Sequence, residues 1–257
     1  MCRFVAYTGP GIRLRQLLIA PSHSLVRQSW APDEMQEARL NADGYGFGWY
    51  QGEQARRYRS TRPIWADANL EDLADTLLSE LWLASVRSAT PGQGVDLANT
   101  HPFRHGRLLF MHNGYLEDFH QAWRPRLHRE LRPEIQAGIH GDSDSEFIFA
   151  LLREYLEDGE SPPGALLKTV AALADWQPQG TRALLNLLLS DGQTVYAVRH
   201  ALGGESPSLY FHQEEPGFSP GRIIASERLS PAPGWQAVPA HRLLELRPAE
   251  PIQLTAL

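Results

Sequence analysis

Apolar positions along the chain fall into short runs bounded by Gly, Pro, Asn or Asp, the pattern of β-strands. They are Cys2–Tyr7, Gly46–Tyr50, Leu83–Arg87, Arg107–Met111, Ala183–Leu189, Thr194–Arg199 and Arg222–Ala225. Other stretches repeat at i, i+3 and i+4, the period of an amphipathic helix. Leu70, Leu73, Leu77, Leu78 and Leu81 form one such stripe, Phe147, Leu151, Leu152, Tyr155 and Leu156 a second, and Leu166, Val170, Leu173 and Ala174 a third. Asp191-Gly192, between two apolar strands, is a hairpin signal. Strands come in runs and hairpins with helices between some of them. That order predicts an α+β fold with mainly antiparallel sheet. No repeat or linker composition interrupts residues 1–257, which are expected to form a single domain, with Gly203–Pro220 as a long loop or insertion.

Charge narrows the classes of function. Twenty-four basic residues against 30 acidic ones give a net charge of −6. A nucleic-acid binder needs a basic footprint, so no nucleic acid is expected as a partner. The basic run Arg124–Arg132 lies among acidic residues and reads as the solvated face of a helix. No run reaches the roughly 18–20 apolar residues of a membrane span, and the N-terminus lacks a signal-peptide core. A single cysteine excludes an internal disulfide and suits a cytoplasmic chain. His101 and His105 are four apart, but Pro102 argues against a helix there. No His/Asp/Glu grouping has metal-ligand spacing, so neither a metal nor a cofactor is expected.

The one cysteine is residue 2. Cysteine is small enough for Met1 to be removed before it, which would give one residue both a thiol and a free α-amine. Their reference pKa values, about 8.5 and about 7.7–8.0, are close enough for the amine to take the thiol proton and return it to a leaving group. The bland alternative is an inert strand cysteine.

Four more segments carry candidate chemistry. Asn41-Ala42-Asp43-Gly44-Tyr45-Gly46-Phe47-Gly48 alternates glycine with aromatics, leaving one strand face bare for close backbone approach. Val86-Arg87-Ser88-Ala89-Thr90 ends an apolar strand with an arginine whose planar fork suits a carboxylate, with Thr90 as an added contact. Met111-His112-Asn113-Gly114-Tyr115 contains Asn-Gly, a strong hairpin signal. The same Asn113 amide and Gly114 N–H are also a candidate oxyanion donor pair. In Asp142-Ser143-Asp144-Ser145-Glu146, Ser143 and Glu146 fit a capping box, leaving Asp144 for a substrate ammonium. A nucleophile, an oxyanion pair, a carboxylate receptor and an ammonium receptor together suit a γ-glutamyl amide.

These segments resemble the class II glutamine amidotransferases, members of the N-terminal-nucleophile hydrolases. The likeness runs from Cys2 through NADGYGFG, VRSAT, Asn99–Phe103 (NTHPF), HNG and SDSE to Asn186–Gly192 (NLLLSDG) and Ile224–Leu229 (IASERL). It implies a four-layer αββα sandwich of two mainly antiparallel sheets. By matched position it implies Cys2 as nucleophile, Asn113 and Gly114 as the oxyanion hole, and Arg87, Thr90 and Asp144 as the glutamyl-binding residues. One departure is Thr90-Pro91-Gly92, where larger members read Thr-His-Gly, which removes one expected substrate contact. MCRFVAY, NADGYGFGWY, Arg59–Trp65 and VRSAT look most like the stand-alone members, and among those the ergothioneine-pathway γ-glutamyl hydrolases. The implied activity is hydrolysis of γ-glutamyl-hercynylcysteine sulfoxide through a glutamyl thioester. One alternative is a glutaminase subunit passing ammonia to a separate synthase partner. Another is a non-catalytic binding module that keeps Met1. Trp30, Tyr45 and Trp65 are candidates for an aromatic wall around a trimethylammonium group.

Overall fold

The structure, a computed structural model, describes residues 2–35, 40–90, 94–218 and 220–257. Strand β1 (Arg3–Arg13) leads into two short helices, α1 (Leu14–Leu18) and α2 (Leu25–Gln28). Then follow the hairpin β2 (Tyr45–Gln51) and β3 (Gln54–Ser60), helix α3 (Leu70–Thr76) and β4 (Leu78–Val86). A second hairpin, β5 (Phe103–His105) and β6 (Leu108–Leu116), precedes α4 (Arg124–Glu130), α5 (Pro133–Gln136), α6 (Asp144–Glu157) and α7 (Pro162–Asp175). The chain continues with β7 (Ala183–Ser190), β8 (Val195–Leu202), β9 (Tyr210–His212) and β10 (Arg222–Ala225). It closes with β11 (Gln236–Ala237), β12 (Arg242–Leu246) and β13 (Gln253–Ala256).

Among the described residues these strands make two sheets. One runs β11-β9-β10-β1-β4-β2-β3 and the other β13-β12-β8-β7-β6-β5. Pairing is antiparallel throughout. Alternation along each strand sets the layers. Phe4, Ala6, Leu83, Leu109, Met111, Leu188 and Leu244 meet between the sheets. Val5, Tyr7, Phe47 and Trp82 face outward into a core with Leu14, Leu17 and Ala74 of α1 and α3. Phe110, Leu185, Leu187 and Leu189 do the same beneath α4, α6 and α7. The result is a four-layer αββα sandwich.

The bare glycine face of β2 lies between the sheets. A Cβ on Gly46 would sit 2.2 Å from the His101 carbonyl oxygen, and one on Gly48 2.8 Å from Leu109 Cδ1. Glycine here lets the segment before β5 press directly onto β2.

Several local readings change. The leucine stripe from Leu70 does not run as one helix to Leu81: α3 stops at Thr76 and β4 starts at Leu78. Ladder pairing of Leu78–Val86 with β1 overrides the helical period, and Leu81 and Leu83 then face the other sheet. Asn113-Gly114 is not a turn; both lie within β6, opposite Asn186 and Leu185 of β7. The turn into β6 is at Gly106, with φ 53°. Asp191-Gly192 does connect β7 to β8, with Gly192 at φ 92°. Gly203–Pro220 contains a strand, β9. The capping box is half formed: Ser143 Oγ accepts from Glu146 N–H at 3.3 Å, but the Glu146 carboxylate takes the N–H groups of His140 and Gly141.

Candidate active site

Cys2 immediately precedes β1 and is buried. It shares the parity of Phe4 and Ala6, which puts its side chain between the sheets. Its Sγ lies 4.0 Å from the Ser88 carbonyl oxygen, in the VRSAT segment that continues β4. The adjacent strand of the same sheet thus brings the second candidate segment to the first.

Arg87 follows the last residue of β4 and is buried. The NADG segment fixes it from both sides: Arg87 N–H donates to Gly44 O at 2.8 Å, and Asp43 N–H to Arg87 O at 2.9 Å. The Asp43 carboxylate also accepts from Ala89 N–H at 2.8 Å. Arg87 Nη1 donates to Gly94 O at 3.0 Å, while Nη2 is buried without a partner. A buried guanidinium nitrogen in that condition has N–H groups left to offer an acceptor.

Asn113 shares the parity of Leu109 and Met111, so its amide also points between the sheets. It is fully buried, and neither Oδ1 nor Nδ2 has a partner. Gly114 must be glycine, because a Cβ would sit 1.7 Å from Leu184 O. Leu116 N–H leaves the ladder to donate to Asp144 Oδ2 at 2.8 Å. Strand alternation sets Gly114 N–H on that same edge, beyond the last β5–β6 pair, Phe103 with Phe110. Asn186, directly across the ladder, donates Nδ2 to Ser208 O at 2.7 Å and leaves Oδ1 unpartnered.

Asp144 opens α6 and is buried. Its Oδ1 accepts Ser145 N–H at 2.7 Å. His112, behind Asn113, holds Ser145 Oγ at 2.9 Å and Leu184 O at 2.8 Å. Burial pushes its pKa down, so the ring is neutral: Nε2 donates to the carbonyl and Nδ1 accepts from Ser145. Asn99 joins this group to Arg87. Its Oδ1 accepts from Asp142 and Ser143 N–H, and its Nδ2 donates to Asp142 Oδ1 at 2.6 Å and to Gly94 O at 3.3 Å. NTHPF thus ties VRSAT to SDSE. His101, both nitrogens unpartnered, is also kept neutral, by burial first and then by the nearby Arg87 and Arg59 charges.

Sequence reasoning gave no role to Arg3 or Glu227, yet they form a buried ion pair beside Cys2. Arg3 Nε is 2.6 Å from Glu227 Oε1, close in charge but not aligned as a hydrogen bond. Arg3 Nη1 donates to Cys2 O at 3.2 Å. Glu227 also takes His23 Nε2 at 2.8 Å and the N–H groups of Asp33 and Glu34. Burial works to raise its pKa, but the His23 hydrogen bond, the Arg3 charge and the two N–H groups hold it below the usual range. The available signal was a charge within an otherwise apolar strand.

Other expectations stay apart from this group. Thr90 is exposed, with no hydrogen bond to Arg87 or Asp144 among the described residues. Tyr45 packs on the helix side of its sheet and donates its hydroxyl to Asp67 at 2.8 Å, so it does not line the inter-sheet space with Trp30 or Trp65. Met1 and the Pro91-Gly92 departure lie outside the described residues. Among the described residues no group of three or more His, Cys, Asp or Glu could hold a metal, and no helix is long and apolar enough to cross a membrane.

Comparison with known proteins bears on this geometry. The profile of the family described as glutamine amidotransferases class-II matches residues 22–256. A curated gamma-glutamyl-hercynylcysteine sulfoxide hydrolase of Mycolicibacterium smegmatis is 32% identical over 250 residues, covering 97% of each chain. Among solved structures, a glutamine aminotransferase class-II domain protein from Silicibacter pomeroyi superposes with a TM-score of 0.73 at 27% identity, covering 99% of each chain. The glutamine phosphoribosylpyrophosphate amidotransferase of B. subtilis superposes with a TM-score of 0.68 at 13% identity, over 99% of this chain and 49% of its own, a likeness of fold.

Proposed function

The chain belongs to the class II glutamine amidotransferases, and on that premise we propose that it hydrolyses γ-glutamyl amides with Cys2 as nucleophile. One observation carries the reading. The Cys2 end of the inter-sheet space holds buried donors with nothing to donate to, the Asn113 amide and Arg87 Nη2. Orphans of this kind are costly in a folded protein and are explained by a ligand that completes them.

In this reading Arg87 takes the α-carboxylate of the glutamyl group and Asp144 its α-ammonium. The Cys2 thiol gives its proton to its own α-amine and the sulfur attacks the γ-carbonyl carbon. Asn113 Nδ2 and Gly114 N–H hold the oxyanion. The C–N bond breaks as the α-ammonium protonates the departing nitrogen, leaving a glutamyl thioester. Water, deprotonated by the same amine, then releases glutamate and restores the thiol. The amine can act only after Met1 is removed. The substrate proposed is γ-glutamyl-hercynylcysteine sulfoxide, supported by the full-length likeness to the mycobacterial hydrolase.

The test is glutamate release by N-terminally untagged protein, with intact mass confirming loss of Met1. The conjugate is expected to show a far higher kcat/KM than free glutamine. Preference for glutamine would replace this reading with that of an ammonia-supplying subunit. No release from either substrate by the processed protein would leave a binding module.

A further inference from the structure

A cavity of about 330 Å³ is lined by Arg3, Asp33, Met35, Leu184 and Ser206 among others, and Arg3 Nη1 joins it to the Cys2 backbone by donating to Cys2 O at 3.2 Å. Its place in the sheet is informative. The VRSAT segment reaches Cys2 from β4, on one side of β1, whereas Ser206, Pro207 and Ser208 of the cavity lead into β9, which pairs with β10 on the other side. Ser226, just past β10, accepts Phe4 N–H at 3.0 Å and its carbonyl takes Ser208 Oγ at 2.8 Å, so the cavity wall is tied to the strand that carries the nucleophile.

The cavity floor carries unused donors. Arg3 is 1% exposed; two of its nitrogens contact Cys2 O and Glu227, and Nη2 is buried without a partner. Ser206 Oγ is buried and unpartnered as well. The backbone around it is held rigidly, with Arg199 Nε on Pro207 O at 2.7 Å and Asn186 Nδ2 on Ser208 O at 2.7 Å. The acidic side chains of the lining are turned to other partners or to solvent. Glu34 accepts the Tyr210 hydroxyl at 2.9 Å, Asp33 lies 3.7 Å from His23 Nε2, and Glu205 is exposed.

We propose that the leaving group of a substrate held at Arg87 and Cys2 enters this cavity, where Arg3 Nη2 and Ser206 Oγ bind its carboxylate. The preferred substrates are then γ-glutamyl amino acids, and free glutamine lacks the recognised group. A guanidinium N–H and a hydroxyl at a desolvated site match a carboxylate better than a neutral acceptor. This rests on the hydrolase reading above and adds the residues that recognise the carboxylate of its leaving group. Arg3 is a specificity residue in this scheme and makes no bond to the reacting atoms.

A matched pair of substrates tests it. γ-Glutamylalanine and γ-glutamylethylamide differ only by the carboxylate. Wild type is expected to favour the alanine conjugate by about tenfold or more in kcat/KM. Arg3→Lys, which keeps a positive charge opposite Glu227, is expected to bring that ratio close to one, and Ser206→Ala to lower it partway. A wild-type ratio near one overturns the proposal. So does an Arg3→Lys protein that is slower on both substrates equally, because a merely structural arginine predicts that result. If neither of these nor the hercynylcysteine sulfoxide conjugate releases glutamate, the hydrolase reading fails. Calorimetric binding of the two compounds to Cys2→Ala protein then decides the carboxylate receptor separately: tighter binding of the alanine conjugate, lost in the Arg3→Lys double variant, supports it, and equal binding refutes it.

Discussion

The two ends of the inter-sheet space differ in a way that cavity size does not predict. The larger opening, about 1090 Å³, lies at the far end, where Gly9, Asp191, Arg222 and Arg247 line it, about 20 Å along β1 from Cys2. Its polar groups are spent on one another. Asp191 takes the N–H groups of Gln193 and Thr194 and the Tyr196 hydroxyl, and Arg222 caps the carbonyls of Arg247 and Glu250. Arg247 reaches Thr194 Oγ1 and Glu250. None of the described residues lining it has a buried orphan. At the Cys2 end the cavity is a third as large, yet unpartnered atoms of Arg3, Arg87, Asn113, Asn186 and Ser206 cluster there. Between these two ends, unmet hydrogen-bonding capacity and not open volume goes with the candidate nucleophile.

The sharpest way to break this contrast is at the nucleophile. Cys2→Ala is expected to lower glutamate release by about 10⁴-fold or more while the thermal unfolding transition persists. Near-normal turnover in that variant would end the thioester mechanism. Asn113→Ala is the next largest effect, a loss of about 10²–10³ in kcat. Here the contrast also makes a statement about stability. The amide has no partner to lose, so its removal is expected to leave Tm unchanged or raise it. A tenfold or smaller loss of activity, or a clear fall in Tm, would show that Asn113 is a structural residue.

Much of this candidate site was legible because its residues sit in short contiguous segments at strand ends. The alternation NADGYGFG announced a bare face, and the structure places His101 O on Gly46. What could not be read was the pairing of distant residues. Arg3 lies in a quoted segment and Glu227 in another 224 positions on, and nothing local says that they meet. Asn113-Gly114 misled for the opposite reason: a strong local turn signal is overruled by eight rungs of ladder with β7. Edge strand β3 escaped notice because its residues, QARRYRS, have no apolar period. Its arginines serve instead as clamps, Arg57 on Pro102 O at 3.1 Å and Arg59 on Thr100 O at 3.2 Å.

Acid tests the contrast more gently. Burial pushes His101 and His112 below the ordinary histidine value of 6.5, and His105 likewise; His200 falls to about 4. The unfolded chain therefore binds more protons than the folded one below pH 6.5. Stability is complete above that pH and is lost as pH falls beneath it. Glu227, held below its usual 4.5, contributes nothing in that window. Tm is expected to fall steadily between pH 6.5 and pH 5, and His101→Gln, which cannot titrate, to remove part of the slope. An unchanged slope would mean that His101 is not held neutral at the Cys2 end.

The smallest effect on activity is expected at the far end, where the contrast predicts a cost in stability alone. Asp191→Ala removes the acceptor for two turn N–H groups and the Tyr196 hydroxyl. Their net worth is about 1–2 kcal/mol, which for a chain of this size lowers Tm by about 3–6 °C. The β7–β8 turn is remote from Cys2, so glutamate release measured well below the new Tm should stay within about twofold of wild type. Asn113→Ala and Asp191→Ala thus form an opposed pair: one loses turnover and keeps stability, the other loses stability and keeps turnover. If Asp191→Ala also lost tenfold in turnover, the two ends would be coupled through β7, and unpartnered polar atoms would no longer be enough to locate the function.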